Sequence, residues 1–202
     1  MVLLGAMNAD HANPEDLAAL RAALLPVANR PALGWPAVHA FEAEHGIVLP
    51  EPYRTVVAEI GDGTEEETGP PFYGLLPLTE LPDGWGGVPE DRDLAQLFPL
   101  TEQWQWEEDD SDWTEEDIDP VFHFGSVVLG TDGCGMDWHL IVTGPSRGHI
   151  WHIDEFGATP FGREFGHTTG QSGFTGWVKH WLAKKAELES VTTEVWFDTE
   201  TR

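Results

Sequence analysis

The stretch of the sequence best suited to binding chemistry is "WQWEEDDSDWTEEDID", residues 104–119, in which tryptophans alternate with carboxylates. Aromatic side chains supply contact energy at protein interfaces, and carboxylates attract a basic partner and orient it. One interpretation is a binding surface for a basic protein. The other is a solvated acidic loop whose tryptophans pack on the domain. The residues predicted to contact the partner are Trp104, Trp106, Glu107, Glu108, Asp109, Asp110, Asp112 and Trp113.

The histidines raise the question of a metal site, because imidazole and carboxylate groups are common ligands of zinc and iron. In the strand-like run "HIWHID", His152 and Asp154 fall on the same face, because side chains alternate along a strand. His139 or His123 could approach from a neighbouring strand. A closed metal site needs three or four convergent ligands. The pattern supplies no complete set, so we expect no metal.

Cys134, in "GTDGCGMD", is the one cysteine of the chain. A catalytic thiol needs a positioned base and a lowered pKa, and acidic surroundings raise the pKa of a thiol. No phosphate-binding glycine loop is present, and the many carboxylates define no acid–base pair. We therefore expect no catalytic residue, no cofactor and no enzymatic activity.

The net charge of the chain is −26, from 36 acidic and 10 basic residues. Such a surface repels nucleic acid and anionic membranes and attracts cationic partners. A single cysteine forms no intrachain disulfide, which fits a reducing compartment. No run of the sequence has the length and hydropathy of a signal peptide or membrane span. The expected location is cytoplasmic.

Helical signals dominate the first part of the chain. Asn13 and Pro14 mark a helix start, Trp35-Pro36 opens a second helix, and Gly46 is expected to end it in the left-handed conformation. In "GIVLPEPY" the proline after Leu49 forces that residue out of helical space. The chain is therefore predicted to turn sharply there, to bury Leu49 and to begin a third helix that buries Tyr53.

Strand signals follow residue 70. "FYGLLPL" is predicted as an edge strand, because its proline would interrupt a central ladder, and "FHFGSVVLG" as a strand ending at Gly130. "MDWHLIV" and "HIWHID" are predicted to form an antiparallel hairpin. "FTGWVKHWLAKKAEL" has the spacing of an amphipathic closing helix. The fold class is thus α+β: N-terminal helices, an antiparallel meander sheet and a closing C-terminal helix.

The order of these motifs resembles the SUKH superfamily, the domain shared by a fungal cell-wall regulator of the Smi/Knr type and many bacterial toxin-immunity proteins. The resemblance covers roughly residues 15–185, without most of 83–119. It implies one SUKH-like domain over 13–188. The acidic, tryptophan-rich residues near 83–119 are interpreted from the sequence as an insertion, and residues 189–202 as a polar tail with a possible strand at "EVWF". The matching residues are Phe41, Gly46, Leu49-Pro50, Tyr53, Gly61-Asp62-Gly63, "YGLLPLTEL", "VVLGTDGCGMDWHLIVTGPSRGHIWHID" and the helix from Phe174 to Leu182.

The function implied by the resemblance is immunity, in which the chain binds a cognate toxin and neutralises it. A nuclease toxin fits the charge, because nucleases are basic. The alternative is a regulatory scaffold that binds several cellular proteins. Immunity predicts one tight basic partner, scaffolding predicts several weaker partners, and an enzyme would lose turnover on mutation of His152 or Asp154.

Overall fold

The computed structural model describes residues 12–66, 70–85, 87–105 and 115–198, with only the backbone for 115–118 and 188–198. The elements confirm the α+β class. The helices are α1 (Pro14–Leu24), α2 (Trp35–His45), α3 (Tyr53–Glu59), α4 (Glu115–His123) and α5 (Phe174–Asp198). The strands are β1 (Trp104–Gln105), β2 (Ser126–Thr131), β3 (Asp137–Ile141), β4 (Ile150–Asp154) and β5 (Gly157–Pro160).

The predicted boundaries of the first two helices are confirmed. The side chain of Asn13 accepts a hydrogen bond from the backbone N–H of Glu15 at 2.8 Å, and Pro14 opens α1. Helix α2 runs from Trp35 to His45, and the next residue, Gly46, caps it with a φ of +66°, in the left-handed region. Glycine enters that region without the steric cost that other residues meet there, so Gly46 stops the helix at this point.

The corner between α2 and α3 is tied together by one buried carboxylate. Glu42 accepts hydrogen bonds from the backbone N–H of Leu49 at 2.9 Å and from Arg54 Nε at 2.7 Å and Nη2 at 2.8 Å. Leu49 and Tyr53 are both 0% exposed, which confirms that they are core residues. Glu42 therefore links the two sides of the turn that Gly46 and the proline after Leu49 produce.

The sheet is antiparallel, with the strand order β1-β5-β4-β3-β2. The predicted β3–β4 hairpin is confirmed, with Trp138 opposite His152 and His139 opposite Trp151. Because side chains alternate along each strand, the sheet separates two hydrophobic cores. The first lies against α1, α2, α3 and α5 and receives Trp138, Leu140 and Ile150 from the sheet.

The second core lies on the opposite face of the sheet. Trp151, Ile153 and Ala158 project from the strands into it, and the stretch before α4 supplies Phe98 and Trp104. Part of the stretch interpreted as an insertion is thus packed into the domain, because its apolar side chains, together with α4, cover the sheet face opposite α1, α2, α3 and α5.

Three local predictions are wrong. Residues 72–78 form no regular strand; Gly74, at a φ of +85°, leaves the extended region, although Tyr73 and Leu76 donate backbone hydrogen bonds to β2. Phe122 and His123 belong to α4, and β2 begins only at Ser126. "EVWF" is helical, because α5 continues to Asp198; a helix satisfies its hydrogen bonds locally, whereas a strand needs a neighbour.

Candidate partner-binding surface

The predicted contact residues fall in two groups. Trp104 begins β1, where its side chain is 7% exposed and packs in the second core. In this structure Trp104 is therefore a core side chain. The other residues, Trp106, Glu107, Glu108, Asp109, Asp110, Asp112 and Trp113, lie outside the described residues, and their role in binding stays a prediction.

The described surface contains a cleft of about 470 Å³ between the loop of residues 72–83 and the turn that joins β2 to β3. Its lining includes three carboxylates, from Glu66, Glu80 and Asp83, and the ring of Tyr73. We call this feature the acidic cleft. Sequence reasoning missed it, because its residues come from loops whose meeting is decided by tertiary packing.

The loop of the acidic cleft is fixed to the sheet through Asp132. One carboxylate oxygen of Asp132 accepts the backbone N–H of Phe72 at 3.0 Å, and the other accepts the indole N–H of Trp138 at 2.7 Å. The backbone N–H of Tyr73 donates to the carbonyl of Thr131 at 3.3 Å. The loop that carries the aromatic wall is therefore bonded to both the sheet edge and the core.

The carboxylates of the acidic cleft are largely uncompensated. Arg30 Nη1 pairs with Glu80 Oε1 at 2.7 Å, and both side chains are about half exposed. Within the described ranges, neither Glu66 nor Asp83 forms an ion pair. The cleft therefore has a net negative charge and faces solvent.

Two large aromatic side chains are exposed beside the acidic cleft. Phe72 is 51% exposed and Tyr73 is 46% exposed, and their ring centroids are 5.1 Å apart in an edge-to-face arrangement. Exposed aromatics next to charged groups are typical of protein interaction surfaces. This pair, together with the carboxylates, gives the cleft the composition of an interface.

The histidines on the strands do not converge on one point. His152 Nδ1 lies 3.9 Å from Asp154 Oδ2 on the side of the first core, whereas His139 faces the second core. No group of three or more metal-ligating side chains suited to a metal ion is found in the part of the chain that the structure describes. The register explains the separation, because adjacent positions on one strand point to opposite faces.

A serine–histidine contact was not foreseen. Ser126 Oγ lies 2.9 Å from His139 Nδ1, a geometry that in an enzyme could join a nucleophile to its base. Both side chains are buried. Burial lowers the pKa of His139 to about 3, with the charges of Arg92 and His152 adding to the effect. A base with this pKa is weak at neutral pH, and neither side chain is exposed to solvent.

Cys134 lies in the β2–β3 turn beside the acidic cleft. It is exposed and is a free cysteine, at a φ of +53°.

In the described residues no helix has the length and hydropathy needed to cross a membrane.

The fold defines a class, an α+β domain built from helices and a five-stranded antiparallel sheet. A family model, SMI1 / KNR4 (SUKH-1), matches residues 37–169, which is more than half of the chain. The chain belongs to this family, and the SUKH resemblance is confirmed over a span shorter at both ends than the predicted 15–185. Comparisons with the curated proteins and with the solved structures give no match.

Proposed function

We propose that this chain is a non-enzymatic, cytoplasmic immunity protein that binds a cognate basic toxin domain and neutralises it. Membership of the SUKH-1 family is the observation that carries the proposal. Membership of the family supports a protein-binding role, and the net charge of this chain favours a basic partner.

The charge favours a nuclease as the toxin. A nuclease active site is basic because it binds phosphate, and a protein of net charge −26 competes with nucleic acid for that site on electrostatic terms. Complementary charge also raises the rate of association. An immunity protein gains from a fast rate, because it must capture the toxin before the toxin reaches its substrate.

The buried Ser126–His139 contact supports a non-enzymatic role. In a working hydrolase, the nucleophile and base must reach a substrate within hydrogen-bond distance. Here both side chains are buried on the sheet face that carries the second core, and the imidazole is neutral at physiological pH. The contact is better explained as a structural link between β2 and β3.

The proposal predicts that a gene beside this one encodes a protein with a toxin domain, and that domain is the reagent for the test. The domain is placed under an inducible promoter, with and without this chain, and growth is measured; purified components are then titrated by calorimetry. We expect rescue of growth and a one-to-one complex. Equal killing with and without the chain would disprove the proposal, and several weak partners without a tight one would favour the scaffold.

The second part of the proposal is that the segment of residues 104–119 contributes to binding the basic partner. Changing Glu107, Glu108, Asp109 and Asp110 to their amides should slow association at low salt and have little effect at high salt, where the Debye length falls to about 3 Å. Trp106→Ala should instead speed dissociation at any salt, since loss of an anchoring aromatic typically costs about 2 kcal/mol or more. Surface-plasmon kinetics with the toxin domain separate the two effects. If the amide variant associates at the wild-type rate at low salt, the segment does not take part in binding, and the interpretation as a solvated loop is favoured.

A further inference from the structure

We propose that the acidic cleft is a receptor for a single arginine side chain presented by the basic partner. The inference rests on the proposed function for the nature of the partner, a basic protein. It goes further by naming the chemical group that is bound and the place on this chain that binds it.

The lining of the acidic cleft matches the guanidinium group. A guanidinium is planar, donates several hydrogen bonds and stacks on aromatic rings. Glu66, Glu80 and Asp83 provide carboxylate acceptors around the cleft, and Tyr73 provides a ring on its wall. Carboxylate oxygens accept charge-assisted hydrogen bonds from arginine, and a tyrosine face attracts a cation. An ammonium group would use the charges but would gain less from the ring, because it is more strongly hydrated.

The acidic cleft is formed before any partner arrives. Asp132 holds the aromatic loop to the sheet at its two carboxylate oxygens. Gly133, at a φ of +91°, lies so close to the Tyr73 ring that an added Cβ would stand 2.9 Å from it. The ring is therefore seated on the β2–β3 turn. A preformed site loses less conformational entropy on binding than a flexible one.

Other occupants fit the acidic cleft less well. A second copy of this chain also has a charge of −26, so its approach is opposed by repulsion. A phosphate or nucleic acid is repelled by the same three carboxylates. An apolar peptide would strip water from Glu66 and Asp83 without pairing them, which is costly for charged groups.

The first test uses N-acetyl-arginine amide as the probe. The ¹⁵N-labelled protein is titrated with this compound and, in parallel, with N-acetyl-citrulline amide, which has nearly the same shape but no charge. We expect saturable amide shifts confined to residues 70–83 and 131–134 with the arginine compound and none with citrulline. Shifts spread over the acidic surface, or equal shifts with citrulline, would overturn the inference.

Matched variants test whether the carboxylates of the acidic cleft bind the arginine compound. Glu66→Gln/Asp83→Asn should raise the dissociation constant of the arginine compound about tenfold, because each lost charge-assisted hydrogen bond weakens binding. Glu44→Gln/Glu102→Gln removes the same charge from exposed positions on other elements and should leave the constant unchanged. An equal loss in both double variants would show that only the net charge matters, and the inference would be wrong.

The aromatic wall is tested in the same titration. Tyr73→Ala should weaken binding several-fold, whereas Tyr73→Phe keeps the ring and should bind nearly as well as the wild type. Phe156→Ala, in the exposed turn between β4 and β5, removes a comparable exposed aromatic and serves as the control. If Tyr73→Phe loses as much affinity as Tyr73→Ala with an unchanged amide spectrum elsewhere, the stacking part of the inference is wrong.

The toxin domain separates this inference from the proposed function. If wild-type protein neutralises the toxin and Glu66→Gln/Asp83→Asn does so with the same affinity, the toxin does not use the acidic cleft, and the inference is wrong while immunity stands. If the wild-type protein fails to neutralise the toxin but binds arginine in the cleft, the immunity proposal is wrong. The cleft is then still an arginine receptor.

Discussion

The α2–α3 corner and the acidic cleft use carboxylates in opposite ways. Glu42 is buried, and its two carboxylate oxygens accept hydrogen bonds from Leu49 and Arg54. Glu66 and Asp83 are exposed and pair with no cation among the residues described. The first arrangement stabilises the fold, and the second leaves charge available to a partner. In so acidic a chain, the position of a carboxylate therefore says more about its role than the number of carboxylates does.

The pKa values of two buried carboxylates show how a neighbouring cation affects ionisation. Burial alone would raise the pKa of Glu42, but the hydrogen bonds from Arg54 and Leu49 and the Arg54 charge outweigh it, so the pKa is lowered. Asp62, which accepts the backbone N–H of Leu78, is also buried, and there desolvation prevails and raises the pKa. A charged partner at hydrogen-bond distance thus decides which buried carboxylate stays ionised most easily.

The largest expected effect comes from Leu49→Ala at the corner. Leu49 is fully buried, so the substitution should lower the free energy of unfolding by about 3–5 kcal/mol through lost burial and the cavity left behind. Val48→Ala, at the exposed neighbouring position, is the control and should change little. Urea unfolding measures both. Equal midpoints for the two variants would show that the corner is not part of the core.

Arg54→Met should be the next largest change. It leaves Glu42 buried without its cation, which we expect to cost about 2–4 kcal/mol, since breaking a buried pair typically costs 3–5 and protonation of Glu42 relieves part of it. Arg21→Met breaks a solvent-exposed pair with Glu59 and should cost less than about 1 kcal/mol. Thermal unfolding compares them. A smaller loss for Arg54→Met than for Arg21→Met would refute the structural role of the corner pair.

The pH dependence extends the comparison to the second core. The folded-state pKa of His139 is lowered from 6.5 to about 3, so the stability that it contributes is present above pH 6.5 and is lost as pH falls. Between pH 7 and 5 the unfolded state gains a proton that the folded state does not, which removes about 2 kcal/mol. The Glu42 pair contributes in a lower window, beginning near the ordinary pKa of 4.5.

His139→Asn should remove this part of the pH dependence, as measured by urea unfolding at pH 7 and pH 5. Ser126→Ala is the control, because it deletes the hydrogen-bond partner at 2.9 Å and keeps the imidazole. It should lower stability at both pH values and keep the slope. A slope unchanged in His139→Asn would mean that partly buried histidines, such as His149 and His152, dominate the pH dependence.

The acidic cleft should give the smallest effect on folding. Glu66→Gln/Asp83→Asn changes exposed side chains, so the free energy of unfolding should move by less than about 0.5 kcal/mol while binding to the arginine probe weakens. Urea unfolding of the double variant tests this. A large loss of stability would show that Glu66 and Asp83, like Glu42, stabilise the fold, and would contradict the difference drawn between the two regions.

Cys134→Ala and treatment with a chelator are expected to change neither the melting temperature nor binding of the toxin domain. Cys134 is exposed, and the described residues hold no metal-ligating cluster. Stoichiometric zinc or iron in the purified protein, lost in His152→Ala, would contradict this expectation.

Local signals allowed the helices and the central hairpin to be predicted from the sequence. Asn13, Gly46 and the proline after Leu49 act through their own backbone preferences, which need no distant partner. The alternation in β3 and β4 likewise reported which face each side chain takes. The extent of α5 was underestimated, because the largely polar composition of residues 189–202 indicated a tail.

The sequence by itself determined the α+β order, the buried corner and the acidic character of the chain. Only the tertiary structure decided which carboxylates are structural and which line a cleft, and that Trp104 and Phe98 cover the second face of the sheet. The physical reason is the sequence separation between the residues that interact. Caps, turns and periodicity act between near neighbours in the chain, whereas the cleft and the second core join residues far apart in sequence, and their meeting depends on how the whole sheet is packed.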